Sequence, residues 1–302
     1  MNSIVTRYGS IPYNELKICK IPNEPFTQLP DYMSKYYIPE IDKNSSEIHL
    51  QLNNHDLVLL DDRTNISLFD VNKIIVKGSQ HKIKLPKNLD PKLAYLVGYL
   101  QGDGGFKDIR RAYLKTGRYE HKIIVADEFL IQIERIKNLF YDLFGLETTI
   151  RTERKKKGEN MYYINPTCKA VYRFFVVFFR FNMGPKKNLK IPDLILDSNE
   201  ELFKWYLRGF MDADGDVRAI ERVNDDYSKL PSPRIKIRLA EKSILVELKN
   251  SINKYFDISM TGPYTDGARD WYAQCALKGM LRSNEQMLFT HPIKRWRLEK
   301  YI

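Results

Sequence analysis

Two aspartates, Asp103 and Asp214, close two segments that match position by position, 111 residues apart. The first reads Tyr95-Leu-Val-Gly-Tyr-Leu-Gln-Gly-Asp103-Gly104, the second Tyr206-Leu-Arg-Gly-Phe-Met-Asp-Ala-Asp214-Gly215. Brought together, two carboxylates beside the main-chain carbonyls of Gly102 and Ala213 form an oxygen-rich site suited to a hard divalent cation such as Mg²⁺ or Mn²⁺. Two like charges held together repel, so the pair calls for a cation. Metal ions at such a place can activate water and stabilise an in-line phosphodiester displacement. A single Asp-Gly after a helix is ordinarily a stop and turn. Two of them, each followed by the same order of elements, point to a shared site. The segment Asp212–Asp216 is not a calcium loop, because Gly stands fourth instead of sixth and Val223 stands twelfth. Gly102–Gly105 gives neither GxGxxG nor a Walker pattern.

The elements that must carry these aspartates are two apolar helices. Gly98 and Gly102 are four residues apart, as are Gly209 and Ala213. Small residues at i and i+4 share one face and let two helix backbones approach closely. The helices are therefore expected to pack face to face, one from each half, with their terminal aspartates side by side. Downstream of the first, strands are predicted at Arg111–Lys115 and Lys122–Ala126, and a helix from Asp127 to Phe144, stopped by Gly145. Strands follow at Glu147–Glu153 and Met161–Asn165, then a helix over Lys169–Phe181. The second half repeats the order: strands at Val217–Val223 and Arg234–Leu239, a helix over Glu241–Tyr255, strands at Ser259–Tyr264 and Trp271–Leu277, a helix over Gly279–Phe289. The fold class is α+β, two pseudo-symmetric αββαββα halves with antiparallel sheets. Residues 91–190 form the first half, 191–302 the second, and 1–90 a small α+β module.

The chain has 302 residues and a net charge of +11. Residues 1–90 carry 11 basic and 11 acidic residues, so the whole excess lies in the repeated part. A polyanionic partner fits that placement. Strand alternation leaves one sheet face open, and its candidates are basic. They are Arg110, Arg111, Lys115, Arg118, Lys122 and Arg151 in the first half, and Arg218, Arg222, Arg234, Lys236 and Arg238 in the second. A hairpin run, with Arg154, Lys155, Lys156 and Lys157, suits phosphate contacts. A sheet or β-ribbon can enter the major groove of double-stranded DNA.

Leu207-Arg-Gly-Phe-Met-Asp-Ala-Asp-Gly215 and Leu96-Val-Gly-Tyr-Leu-Gln-Gly-Asp-Gly104 resemble the motif of the LAGLIDADG homing endonucleases, in their two-motif, single-chain form. Gly184–Pro192 resembles the link between motifs in that family, and Leu288–Lys294 its domain ends. The resemblance spans roughly residues 91–302. It implies a monomeric pseudo-dimer with a saddle-shaped pair of sheets over DNA and Mg²⁺-dependent cleavage of both strands. It makes Asp103 and Asp214 the metal-binding catalytic acids. The sequence departs from the family at Gln101, where the motif has its first acidic residue. It departs again at Ala126-Asp127 and Ala240-Glu241, where Lys or Gln is frequent. A DNA-binding regulator or intron RNA maturase on the same scaffold is the alternative these departures suggest.

Cys19, Cys168 and Cys275 are widely spaced, which supports neither a disulfide framework nor a zinc site. No apolar run is long enough to span a membrane, and the first ten residues lack a signal-peptide pattern. An intracellular location is the expectation.

Overall fold

The computed structural model describes residues 3–6, 9–29, 40–41, 47–50, 73–76, 82–110, 119–154, 160–182, 186, 188–220, 232–266 and 270–302. In the N-terminal part, β1 (Ser3–Thr6) and β2 (Gly9–Pro12) form a hairpin, followed by a 3-10 turn at Tyr13–Glu15. β3 (Thr27–Gln28) pairs with the later β8 (Asn88–Leu89). β4 (Glu40–Ile41), β5 (Glu47–Leu50), β6 (Lys73–Val76) and β7 (Lys82–Ile83) form a four-stranded sheet whose β5–β6 pair is parallel. Among the described residues of 1–90 there is no α-helix. This part is tied to the rest. Leu29, Ile83 and Leu89 join the main core, Trp296 Nε1 donates to Glu15 at 2.7 Å, and Lys17 pairs with Glu299 at 3.0 Å.

The first motif forms α1 (Pro91–Asp103). Asp90 caps it by accepting the Leu93 N–H at 2.8 Å, and Pro91 supplies the preset φ of a first helical turn. Every residue from Leu93 to Gly102 is buried, so α1 is a core helix and not an amphipathic surface one. The chain leaves it without a loop. Gly104 is already extended (φ −73°, ψ 139°) and runs into β9 (Gly105–Arg110), which pairs with β10 (Tyr119–Asp127). α2 (Leu130–Phe144) follows and ends at Gly145 in the left-handed region (φ 64°), as the sequence predicted. β11 (Ile150–Arg154), β12 (Asn160–Ile164) and α3 (Lys169–Phe178) complete the half.

A short α4 (Asp193–Leu196) precedes the second motif helix, α5 (Glu200–Asp214). Asn199 caps α5, with Glu200 and Glu201 in its first turn. Then come β13 (Gly215–Ile220), β14 (Ser232–Leu239), α6 (Lys242–Phe256), β15 (Thr261–Asp266), β16 (Asp270–Cys275), α7 (Leu277–Glu285) and α8 (Pro292–Tyr301). The four-stranded sheets of the two repeated halves are both antiparallel, and both place the strands of their half in the order first, second, fourth, third. Phe106, Ile123, Val125 and Ile164 line the inner face of one sheet, and Val217, Ile235, Ile237, Ala273 and Cys275 that of the other. Among the described residues no helix is long and apolar enough to cross a membrane.

The expectations need four corrections. The strand after the first motif begins at Gly105, ahead of the expected Arg111, because the extended Gly104 starts it at once; the expected stretch Arg111–Lys115 lies outside the described residues. For the same reason the strand expected at Val217 begins at Gly215. Asp127 ends β10 and does not open α2: its Oδ1 accepts the Phe129 N–H at 2.8 Å, a turn that delays the helix to Leu130. The helix expected over Gly279–Phe289 runs from Leu277 to Glu285, and a further helix, α8, begins at Pro292.

Candidate functional site

α1 and α5 pack with the glycines of each against the backbone of the other. A Cβ on Gly98 would run into the Tyr206 carbonyl and lie 2.9 Å from Phe210 N; one on Gly209 would run into the Tyr95 carbonyl and lie 3.0 Å from Tyr99 N. Lower down, a Cβ on Gly102 would strike Ala213 Cβ, with Asp214 Oδ2 at 3.1 Å. At Gly98, Gly102 and Gly209 a larger residue would meet the facing helix. The two helices end together, and Asp103 and Asp214 line one cleft with Asp127, Asp216, Lys236 and Lys294.

Burial perturbs both aspartates, and Asp214 perturbs Asp103. Asp103 reaches solvent through the cleft mouth, yet the protein mass around it, then the Asp214 charge, push its carboxyl up to about 7, against the pull of Lys294 and Lys186. Burial likewise raises Asp214, opposed by the same two lysines. The donor set suits a hard divalent cation: two neighbouring oxyanions whose repulsion a cation would relieve. Among the described residues no cluster of three or more His, Cys, Asp or Glu side chains joins them. The carbonyls anticipated as ligands are engaged. Lys294 Nζ donates to Ala213 O at 2.7 Å and Asp212 O at 2.5 Å, and Lys186 Nζ donates to Gly102 O.

The places where the family often has Lys or Gln are built differently. Asp127 Oδ2 accepts the Tyr99 hydroxyl at 2.7 Å and faces His291 Nε2 at 3.7 Å. Burial alone would raise Asp127, but His291, and then the Tyr99 hydroxyl, hold it below the ordinary carboxylate value. Glu241 accepts the backbone N–H groups of Asn188 and Leu189, 2.5 and 2.9 Å away, and so fastens the segment between the halves.

The face of the second sheet opposite its buried residues carries basic side chains. Arg218 pairs across the strands with Arg234, Lys236 lies between Asp216 and Gln274, and Arg238 is opposite Tyr272. Lys236 Nζ sits 3.7 Å from the Tyr272 ring centroid, a cation–π contact that orients it. In the first sheet Lys122 is beside Lys107, a residue the sequence reading passed over, and Arg151 is in the row of Tyr163 and Ala126. Arg154 is exposed at the end of β11, on the alternate parity from Arg151. Arg110 ends β9. Arg111, Lys115, Arg118, Lys155, Lys156, Lys157 and Arg222 lie outside the described residues.

Sequence reasoning also missed Lys186, Lys294 and His291 as site residues. Their signal was positional: Lys186 lies in the link before the second motif and the other two in the closing Leu288–Lys294 segment.

No family model matches the chain. Among curated proteins, it is 32% identical over 162 residues to the glutamine–fructose-6-phosphate aminotransferase (isomerizing) of Methanocaldococcus jannaschii, covering 51% of this chain and 13% of that protein. It is 26% identical over 133 residues to the ribonucleoside-diphosphate reductase NrdEB subunit alpha of Bacillus subtilis, covering 43% of this chain and 12% of that one. The chain thus matches only a small part of the length of these relatives. Among solved structures, a mesophilic variant of the homing endonuclease I-DmoI aligns with a TM-score of 0.48 at 17% identity, covering 70% of this chain and 97% of that one. The homing endonuclease I-WcaI bound to its DNA recognition sequence gives 0.44 at 17%, covering 69% and 85%. The N-terminal LAGLIDADG domain of DUF199/WhiA gives 0.41 at 16%, covering 65% and 80%.

Proposed function

We propose that the protein is a site-specific double-strand DNA endonuclease of the homing type, with Asp103 and Asp214 as the catalytic acids. One observation carries this reading: two carboxylates at the ends of helices in backbone contact, with Asp103 raised to about 7 by burial and by Asp214. Such a pair is unfavourable without a cation and suited to one. A divalent ion, Mg²⁺ or Mn²⁺, would supply Lewis acidity and a nucleophilic water there. The chain's own groups would do the rest. Asp103 and Asp214 would hold the ion between the halves. Lys236, Arg218 and Arg238 on the open sheet face, together with Arg151 and Lys122 of the first sheet, would engage the duplex. The chain would work as a monomer, residues 91–190 and 191–302 each supplying one carboxylate and one sheet.

The test is cleavage of a randomised double-stranded DNA library with Mg²⁺. Wild type is expected to cut at one sequence, and Asp103→Asn and Asp214→Asn each to lose at least about a hundredfold in rate. Undiminished cutting by either variant would show that the pair is not the reacting site. A second reading is favoured by Asp127 and Glu241, which put carboxylates where basic or amide side chains are frequent. It is a non-cutting DNA-binding regulator or an intron RNA maturase on the same scaffold, and it predicts salt-sensitive, sequence-selective binding without strand breaks.

A further inference from the structure

Each motif helix ends on a carbonyl that accepts an ammonium from an element outside the motif. Lys294, on α8, reaches Ala213 O and Asp212 O at 2.7 and 2.5 Å, with Met211 O at 3.4 Å. Lys186, in the link before α4, donates to Gly102 O. Lysine at a helix C-terminus is favourable by itself, since the last carbonyls lack helical partners and carry the negative end of the dipole. Here the arrangement has a second property. Gly102 and Ala213 immediately precede Asp103 and Asp214, so the ammoniums sit on the same oxygen-lined ground that a divalent cation would use.

The position of Lys294 is specified in detail. His291 caps α8 by accepting the Ile293 N–H on Nδ1 at 3.2 Å, and Pro292 follows at the first helical position. The His291 ring is fully buried and packs edge-on against Phe129 at 5.4 Å between centroids. Thr290, just before it, donates its N–H and hydroxyl to Asp212 at 2.9 and 2.5 Å. This clamp sets where α8 starts, and hence where its third residue points.

The two ammoniums already supply positive charge beside the two aspartates, at the helix-end carbonyls next to them. A divalent cation entering the same space would meet their repulsion. Lysine carries its charge on a flexible four-carbon stem and can swing aside.

We propose that Lys186 and Lys294 are the resident counter-cations of the Asp103–Asp214 pair, and that a divalent cation binds by displacing them. This rests on the divalent-cation reading of the site, and the experiment separates the two. Mn²⁺ binding to the full chain, without DNA, is followed by the loss of the free-ion electron paramagnetic resonance signal. Lys186→Met and Lys294→Met are each expected to tighten Mn²⁺ binding about threefold to tenfold, because each removes one repelling charge and frees a carbonyl. Lys294→Arg, which keeps the charge, is expected to stay near wild type. Lys294→Gln serves as the neutral variant if Lys294→Met does not fold. Unchanged or weaker binding in the neutral variants, with wild-type binding still abolished by Asp103→Asn, would overturn the displacement and leave the metal site standing. No aspartate-dependent binding in any variant would overturn both.

Discussion

At position 101 the first motif helix carries Gln, and at the matching position 212 the second carries Asp. Both are buried, and both accept the hydroxyl of a tyrosine from the opposite helix. Tyr206 donates to Gln101 Oε1, and Tyr95 donates to Asp212 Oδ2 at 2.8 Å. Beyond that shared bond they differ. Gln101 donates in turn to the Lys190 carbonyl at 2.6 Å. Asp212 is a fully buried carboxylate that also takes two bonds from Thr290. Arg135 lies 3.8 Å away as an ion pair, over the Tyr95 ring, with its hydrogen bonds going to Thr290 and the Cys19 carbonyl. One geometric need, holding the helix pair from both sides, is met once by a neutral amide and once by an ion network. The ionic version draws in the N-terminal segment and the closing loop; the neutral one draws in the link. Gln101 thus departs from the motif without loss of the cross-helix bond.

The largest effects test what the two helices share. Gly98→Val and Gly209→Val each force side-chain atoms into the facing backbone, which cannot yield as a flexible side chain would. Each is expected to cost about 3 kcal/mol or more in urea unfolding, and by similar amounts. A large inequality between them would break the equivalence of the two helix faces. The next effect should separate the networks. Asp212→Ala leaves Arg135 without its buried counter-charge and is expected to cost about 3–5 kcal/mol. Gln101→Ala removes neutral bonds and should cost about 1–2 kcal/mol. Equal losses would mean the ionic network adds nothing that the amide lacks.

The smallest effect concerns the site. Because Asp103 is raised to about 7, the folded metal-free chain holds a proton that the unfolded chain releases near pH 4. Stability should fall as pH rises through that window, with the loss complete above 7 and absent below 4. Asp103→Asn removes the loss. At pH 8 it should be more stable than wild type by about 1 kcal/mol, a figure kept low because the cleft is open to solvent. At pH 4 it should show no advantage. A parallel gain at both pH values would assign the effect to something other than the carboxyl's charge.

Most of this architecture was legible because it rests on repetition and periodicity. The matched motifs, the small residues four apart and the apolar alternation in Ile235, Ile237 and Leu239 each state a local rule that the folded chain obeys. What was not legible depends on residues distant in sequence meeting in space. Nothing local marks Lys186 or Lys294 as neighbours of the aspartates, since 84 residues separate Lys186 from Gly102 and 81 separate Lys294 from Ala213. Helix α8 had a cap and a proline but no clear apolar stripe to announce it, and the side chain of Asp127 was committed to a turn. Charge alone marked the open sheet face, but not the tyrosine that steadies Lys236.

The contact at Gly98 and Gly209 has a metrical consequence. Side-chain packing can adjust: rotamers shift, and spacing drifts with substitution. Main chain resting on main chain is a hard stop. The separation of the two carboxylates at the helix ends is therefore gauged by peptide geometry, which substitutions elsewhere do not alter. The gap is thus cut into the backbone, while the surfaces around it stay free to vary.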